Sequence, residues 1–156
     1  MKLLIQRVSH ASVTVDGATV GAIGEGLLAL VGCRRGDDER DVAWLAQKLI
    51  DLRIFRDAQD RMNRSLADIG GAVLVVSQFT LYADTRKGNR PGFDLAGDPA
   101  AAEALCRQLI DLLHEKLGSE RVATGVFGAD MKVSLCNDGP VTIELCSDNK
   151  FPKNSA

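Results

Sequence analysis

Two stretches of the chain are apolar almost without interruption: residues 27–33 (Leu-Leu-Ala-Leu-Val-Gly-Cys) and residues 72–76 (Ala-Val-Leu-Val-Val). Short runs of this kind with no polar alternation read as strands buried on both faces. Residues 3–8 and 12–15 alternate instead, which predicts strands with one face on a core. Asp16-Gly17 predicts a hairpin turn, because glycine tolerates positive φ, and residues 19–23 form the return strand. Gly24-Glu25-Gly26 reads as a turn. Helical spacing then takes over. Val42, Leu45, Leu49 and Leu52 recur three and four positions apart, so a helix capped by Asp37 or Asp38 runs to about Leu52. Trp44, the single tryptophan, is expected to pack on this helix. Residues 53–55 read as a short strand and residues 57–64 as a polar loop.

Asp98-Pro99 opens a second helix with a capping carboxylate and a proline where proline is tolerated. Leu105, Leu109, Leu112, Leu113 and Leu117 give its buried stripe, and Gly118 ends it. Strands follow at residues 121–125, 131–136 and 141–146, with Gly139-Pro140 as a turn between the last two. The polar remainder from Ser147 to Ala156 is expected to fray. Helices segregated among hairpin-rich strands predict an α/β fold, a mixed sheet covered by helices on one side. A domain over residues 1–147 and a tail over 148–156 account for the chain.

At 156 residues the chain supports one domain with a substantial core. An apolar fraction of 46% and a charged fraction of 26% are those of a water-soluble globular protein. No apolar run approaches the ~20 residues of a membrane span. The first residues lose apolar character too soon for a signal peptide, so a cytoplasmic location is expected. Net charge is −2, so the chain as a whole is not a basic nucleic-acid binder, although a local patch can outweigh the sum. Arg86-Lys87-Gly88-Asn89-Arg90 is the most basic window, read either as a solvated loop or as a phosphate-contacting one. Cys33, Cys106, Cys136 and Cys146 show no ligand spacing and are expected as buried free thiols; no metal is expected.

Side chains able to do acid–base chemistry are scarce. The two histidines, His10 and His114, suggest no Ser–His–Asp or Cys–His arrangement. The apolar run 72–76 ends in Ser77-Gln78-Phe79-Thr80-Leu81-Tyr82-Ala83-Asp84, which brings hydroxyls, an amide and backbone N–H groups to a sheet edge. This is either a strand end turning into a loop or a ligand site of the kind found at such edges. Thr80 as a nucleophile would need a base to activate it, and none is evident. The other option is a site that supplies position and electrostatics only.

A second segment, Asn137-Asp138-Gly139-Pro140-Val141-Thr142, changes this picture. The two segments together closely resemble the signature pair of the D-aminoacyl-tRNA deacylase family, SQFTLYAD and N-x-G-P-V-T, with Asp138 at the x position. Both are complete, and the resemblance runs from Gln6-Arg7-Val8 to the last strand. It implies a layered α/β/β fold and a tight homodimer. It implies hydrolysis of the ester at the 3′ end of a D-aminoacyl-tRNA, a chiral proofreading step in translation quality control, without a cofactor. It implies catalysis at Ser77, Gln78, Phe79 and Thr80, with the N–H groups of Phe79 and Thr80 as an oxyanion hole and the substrate's own ribose hydroxyl assisting water. It also implies a cis Gly139-Pro140 bond that reaches the partner's site, accepts from the substrate ammonium and excludes an L side chain. Arg7 would hold this dipeptide, and glycyl-tRNA, lacking a side chain, would be cleaved too. Two other readings stay open: an esterase with Thr80 as covalent nucleophile, and a non-catalytic RNA-binding module on the same fold.

Overall fold

The computed structural model describes residues 1–153. Among the described residues there are eight strands and three α-helices, arranged about the long first strand, β1 (Lys2–Val15), a single element where two were expected. It continues through Asp16-Gly17, both at positive φ, into β2 (Ala18–Ile23). The strand β3 (Gly26–Gly32) returns along the first half of β1, and a crossover carrying α1 (Glu39–Asp51) follows. Asp38, not Asp37, caps α1, and Asp41 completes a capping box. Asp37 is used elsewhere: it accepts from the Met1 ammonium at 2.7 Å.

The expected strand over residues 53–55 is shifted to β4 (Phe55–Arg56), and the expected loop contains its partner β5 (Met62–Arg64). A short helix, α2 (Leu66–Ile69), was not legible at four residues. The strand β6 (Ala72–Ser77) lies parallel to β3. The helix α3 (Pro99–Leu117) starts at the Asp98 cap and ends at Gly118. Then β7 (Val122–Thr124) pairs parallel to β6, and β8 (Lys132–Cys146) closes against β1.

The main sheet runs β2–β1–β3–β6–β7, with β8 on the other edge of β1. One face packs under α1 and α3. Leu27, Ala29, Val31, Val73 and Val75 join Leu45, Leu49, Leu109 and Leu113 there. The other face curls on itself, so that Val8, Val13, Leu28, Leu74 and Val76 form a second core between the two halves of the sheet. This explains the unbroken apolar runs of β3 and β6: each alternate residue enters a different core. The result is the expected α/β/β layering. Burying each large aliphatic side chain contributes roughly 1.5–3 kcal/mol.

Three further expectations are corrected. Gly139-Pro140 does not separate two strands by a reversal. Thr142 pairs with Gln6 and Asn137 with Val8, so residues 138–141 bulge out of one continuous strand opposite Arg7. The expected fraying does not extend through residues 147–153. Ser147 is buried and bonded to Met1, and Lys153 reaches Asp41 at 2.7 Å. Residues 154–156 lie outside the described residues. Of the thiols, Cys33 and Cys106 are buried, but Cys136 is exposed and Cys146 half-buried. Cys136 lies on the outer edge strand, where alternation turns it away from the core.

Candidate active site

Ser77 ends β6, whose C-terminal edge is also that of its parallel neighbours β3 and β7. The chain then turns through one 3-10 turn, Phe79–Tyr82. Gly32, at the end of β3, makes room for it: a Cβ there would stand 2.9 Å from Cβ of Leu81 and 3.2 Å from the carbonyl of Gln78. The N–H of Gln78 donates to Val31 at 2.7 Å and that of Leu81 to Gln78 at 3.2 Å. Among the described residues, the intervening N–H groups of Phe79 and Thr80 have no backbone acceptor outside the turn. These are the unpaired donors that every helical start leaves.

A cavity of about 470 Å³ opens beside this edge. Ser77, Gln78 and Phe79 line it, with Ala96, Gly97 and Pro99 from the approach to α3, and Phe127, Gly128, Ala129 and Met131 from the segment after β7. Cys33 and Cys106 form part of its wall, with their sulfurs 3.9 Å apart. Their mutual hydrogen bond and then burial push the Cys33 thiol up, so it stays protonated at neutral pH. The lining contains no histidine, carboxylate or cation. Among the described residues, no group of three His, Cys, Asp or Glu side chains is placed to hold a metal ion.

Thr80 stands beside the cavity but does not line it, and its hydroxyl accepts from the Gln78 side-chain amide. Tyr82 is turned inward and only 6% exposed. Burial, and then Asp37 and Asp148, push its hydroxyl well above the usual tyrosine range. His10 is exposed on β1 and bonds Ser9, and His114 is half-buried on α3. Neither is near enough to line the cavity. The contribution of residues 127–131 was missed. The signal available was an aromatic residue in a glycine-containing loop just after a strand parallel to β6, which delivers it to the same edge.

The second motif is built differently. Arg7 is 2% exposed. It is not a surface arginine: its guanidinium donates from Nε to the Asp138 carbonyl at 2.8 Å and from Nη1 to the carbonyl of Ile54. Its Nε is also 3.2 Å from the Asp138 carboxylate. Asn137 ties the base of the bulge, accepting from Val141 N–H at 2.7 Å and donating to the Val141 carbonyl at 3.1 Å. The Gly139-Pro140 peptide is cis, and both residues are exposed at the tip. Gly139 sits at φ +151°, where a Cβ would stand 2.7 Å from the Val141 nitrogen and 3.3 Å from Nη2 of Arg7. Only glycine fits this position.

Within one chain the two motifs are far apart. Arg7 pairs with Leu27, which pairs with Val73, whereas Ser77 pairs with Val31. The four residues from Leu27 to Val31 span about 13 Å, and two strand spacings add sideways distance. The Gly139-Pro140 tip therefore stands at one end of β3 and β6, and the cavity at the other.

The family model for D-Tyr-tRNA(Tyr) deacylase matches residues 4–146. A D-aminoacyl-tRNA deacylase of Paracoccus denitrificans is 59% identical over 96% of this chain and 99% of its own length. One from Anaeromyxobacter dehalogenans is 57% identical over 97% and 100%. A solved structure described as c-Myc DNA Unwinding Element Binding Protein superposes with a TM-score of 0.90 at 40% identity, covering 94% of this chain and 99% of that one. A probable eukaryotic D-amino acid tRNA deacylase shares the fold, with a TM-score of 0.79 at 17% identity over 92% and 97%. With a match across both motifs and both cores, the chain belongs to the D-Tyr-tRNA(Tyr) deacylase family of hydrolases.

Proposed function

We propose that this chain hydrolyses the ester between a D-amino acid and the 3′ end of tRNA, and that it works as a homodimer in which Gly139-Pro140 of one protomer enters the cavity of its partner. The separation of the two motifs within one chain carries the second half of this reading. A convex, rigid tip and an uncharged cavity at opposite ends of one sheet form a joint site only between two copies. A cytoplasmic location, where charged tRNA is found, belongs to the same proposal.

The chemistry asks little of the protein's side chains. An aminoacyl ester is already activated, and the neighbouring ribose hydroxyl orients the attacking water. The N–H groups of Phe79 and Thr80 receive the developing oxyanion. One such donor contributes roughly 3–4 kcal/mol in a water-poor site. Gln78 adds a neutral hydrogen-bonding group, Ser77 a hydroxyl, and no metal or other cofactor takes part. At the tip, backbone carbonyls accept from the substrate ammonium and leave no room for an L side chain. Exclusion by rigid backbone discriminates more strongly than a missing contact, which yields about 1–3 kcal/mol per methylene. Glycine escapes this filter, so glycyl-tRNA is cleaved as well.

Cleavage of matched D- and L-tyrosyl-tRNA by the wild type and Thr80→Ala tests the reading. Rapid loss of the D ester alone, retained in Thr80→Ala, is expected. A folded but inactive Thr80→Ala would transfer the role to a threonine nucleophile. Binding without turnover by the wild type would leave an RNA-binding module.

A further inference from the structure

The loop from Asp84 to Gly92 has no role in the chemistry above, yet it is built onto the cavity rim. Its base is closed by two backbone hydrogen bonds between Asp84 and Gly92, at 2.8 and 2.9 Å. Phe93, just beyond, lays its ring on Phe79 at 4.9 Å between centroids. Both rings are exposed, at 36% and 58%. The chain then forms the rim itself through Ala96 and Gly97. The loop thus leaves the first motif and returns to the wall of the cavity that the motif lines.

Its tip carries Arg86, Lys87 and Arg90, all exposed. Arg86 is committed to Asp84 at 2.7 Å and holds that carboxyl well below the usual range. Lys87 and Arg90 make no salt bridge among the described residues. Arg35, also exposed, flanks the loop, since its backbone N–H donates to Leu95 at 3.1 Å. With Asp84 taken by Arg86, the loop holds no further carboxylate to oppose them, and Asp94 follows two positions beyond it. In a chain of net charge −2, unpaired cations concentrated beside an uncharged cavity are a local anion-attracting feature.

We infer that Lys87 and Arg90 bind the phosphodiesters immediately preceding the terminal nucleotide of the tRNA 3′ end. This rests on the proposed function and adds a polyanion contact to it. The cavity takes the terminal aminoacyl nucleoside, which carries no phosphodiester of its own, the exposed Phe79–Phe93 pair marks the direction of exit, and the loop meets the backbone as it emerges. Single-stranded nucleic acid is held in this way by cations that track the backbone beside aromatic faces. The loop would confer affinity and leave the chemical step unchanged.

The test compares D-tyrosyl-tRNA with the D-tyrosyl ester of adenosine, which has no phosphodiester, on the wild type and on the double variant Lys87→Ala/Arg90→Ala. For tRNA, KM is expected to rise about ten-fold at low salt with kcat held. The slope of log(kcat/KM) against log salt should flatten by about 1.4, roughly 0.7 for each single-strand phosphate that is no longer neutralised. The effect should be confined to tRNA, and Lys87→Arg/Arg90→Lys should restore wild-type behaviour. Unchanged KM and salt slope, with the wild type active, overturns the inference. An equal effect on both substrates also overturns it, because the loop would then be shaping the cavity. A wild type that cleaves neither ester removes the proposed function and this inference with it.

Discussion

The two ends of the β3–β6 pair solve opposite problems. At the Ser77 end the backbone leaves donors unpaired beside a cavity without charged side chains. At the Arg7 end an exposed bulge has the Asp138 carbonyl taken up by a buried guanidinium, and the Val141 N–H and carbonyl taken up by Asn137. The first is a receptor with unused hydrogen-bonding capacity. The second is a rigid projection whose supports are saturated, leaving its tip free to be presented. Catalysis by position needs both, since an unpaired donor is useful only if the group it meets is held still.

The comparison is broken most strongly at the tip. Gly139→Ala places a Cβ against the Val141 nitrogen and Arg7. Rates on D-tyrosyl-tRNA are expected to fall by at least about 100-fold, as displacements near 1 Å do, while circular dichroism keeps its native shape. Arg7→Ala attacks the support. It strands the carbonyls of Asp138 and Ile54, and urea unfolding should show a loss of about 3 kcal/mol. Arg7→Lys should not restore it, since an ammonium lacks the planar fork that reaches both acceptors.

At the receptor end, Gly32→Ala pushes on Leu81 and the Gln78 carbonyl from beneath. We expect kcat to drop about ten-fold through a shifted Phe79–Thr80 backbone, with a loss of about 1–3 kcal/mol in stability from the overpacked contact. A kcat equal to wild type would show that the turn's position is not critical. The smallest effect is expected for Asn137→Ala, which loosens the base of the bulge. It should cost about 1–2 kcal/mol in stability and relax selection against L-tyrosyl-tRNA before it slows cleavage of the D ester. Loss of D activity with selectivity intact would reverse the assignment of the bulge.

Much of this architecture was legible because it rests on local chemistry. The Asp16-Gly17 turn, the Asp98-Pro99 start, the Gly118 stop and the two doubly buried strands follow from side-chain pattern and backbone preference, and each is where the pattern put it. The residues lining the cavity from the first motif were likewise apparent, because an apolar strand that ends abruptly in Ser-Gln-Phe must deliver them to a sheet edge. The errors share a different cause. Residues 131–146 looked like two strands and a turn because Gly-Pro ordinarily reverses a chain. Here β1 continues on both sides of the dipeptide and pulls it into one strand. The segment after Ser147 looked frayed because it is polar. Its order comes from the Met1 ammonium, Asp41 and Lys153, distant in sequence.

Sequence by itself determined a mixed sheet covered by helices on one side, the two motifs and the scarcity of acid–base side chains, since these depend on residue type and on spacing within a few positions; the α/β/β layering was implied only by the family resemblance. Only the tertiary structure decided that Arg7 is buried beneath the bulge, that Phe127 and Met131 complete the cavity wall, and that the two motifs stand at opposite ends of one sheet. These features are set by strand register and by contacts across more than a hundred residues. No local preference encodes them, because each depends on which distant strands lie side by side.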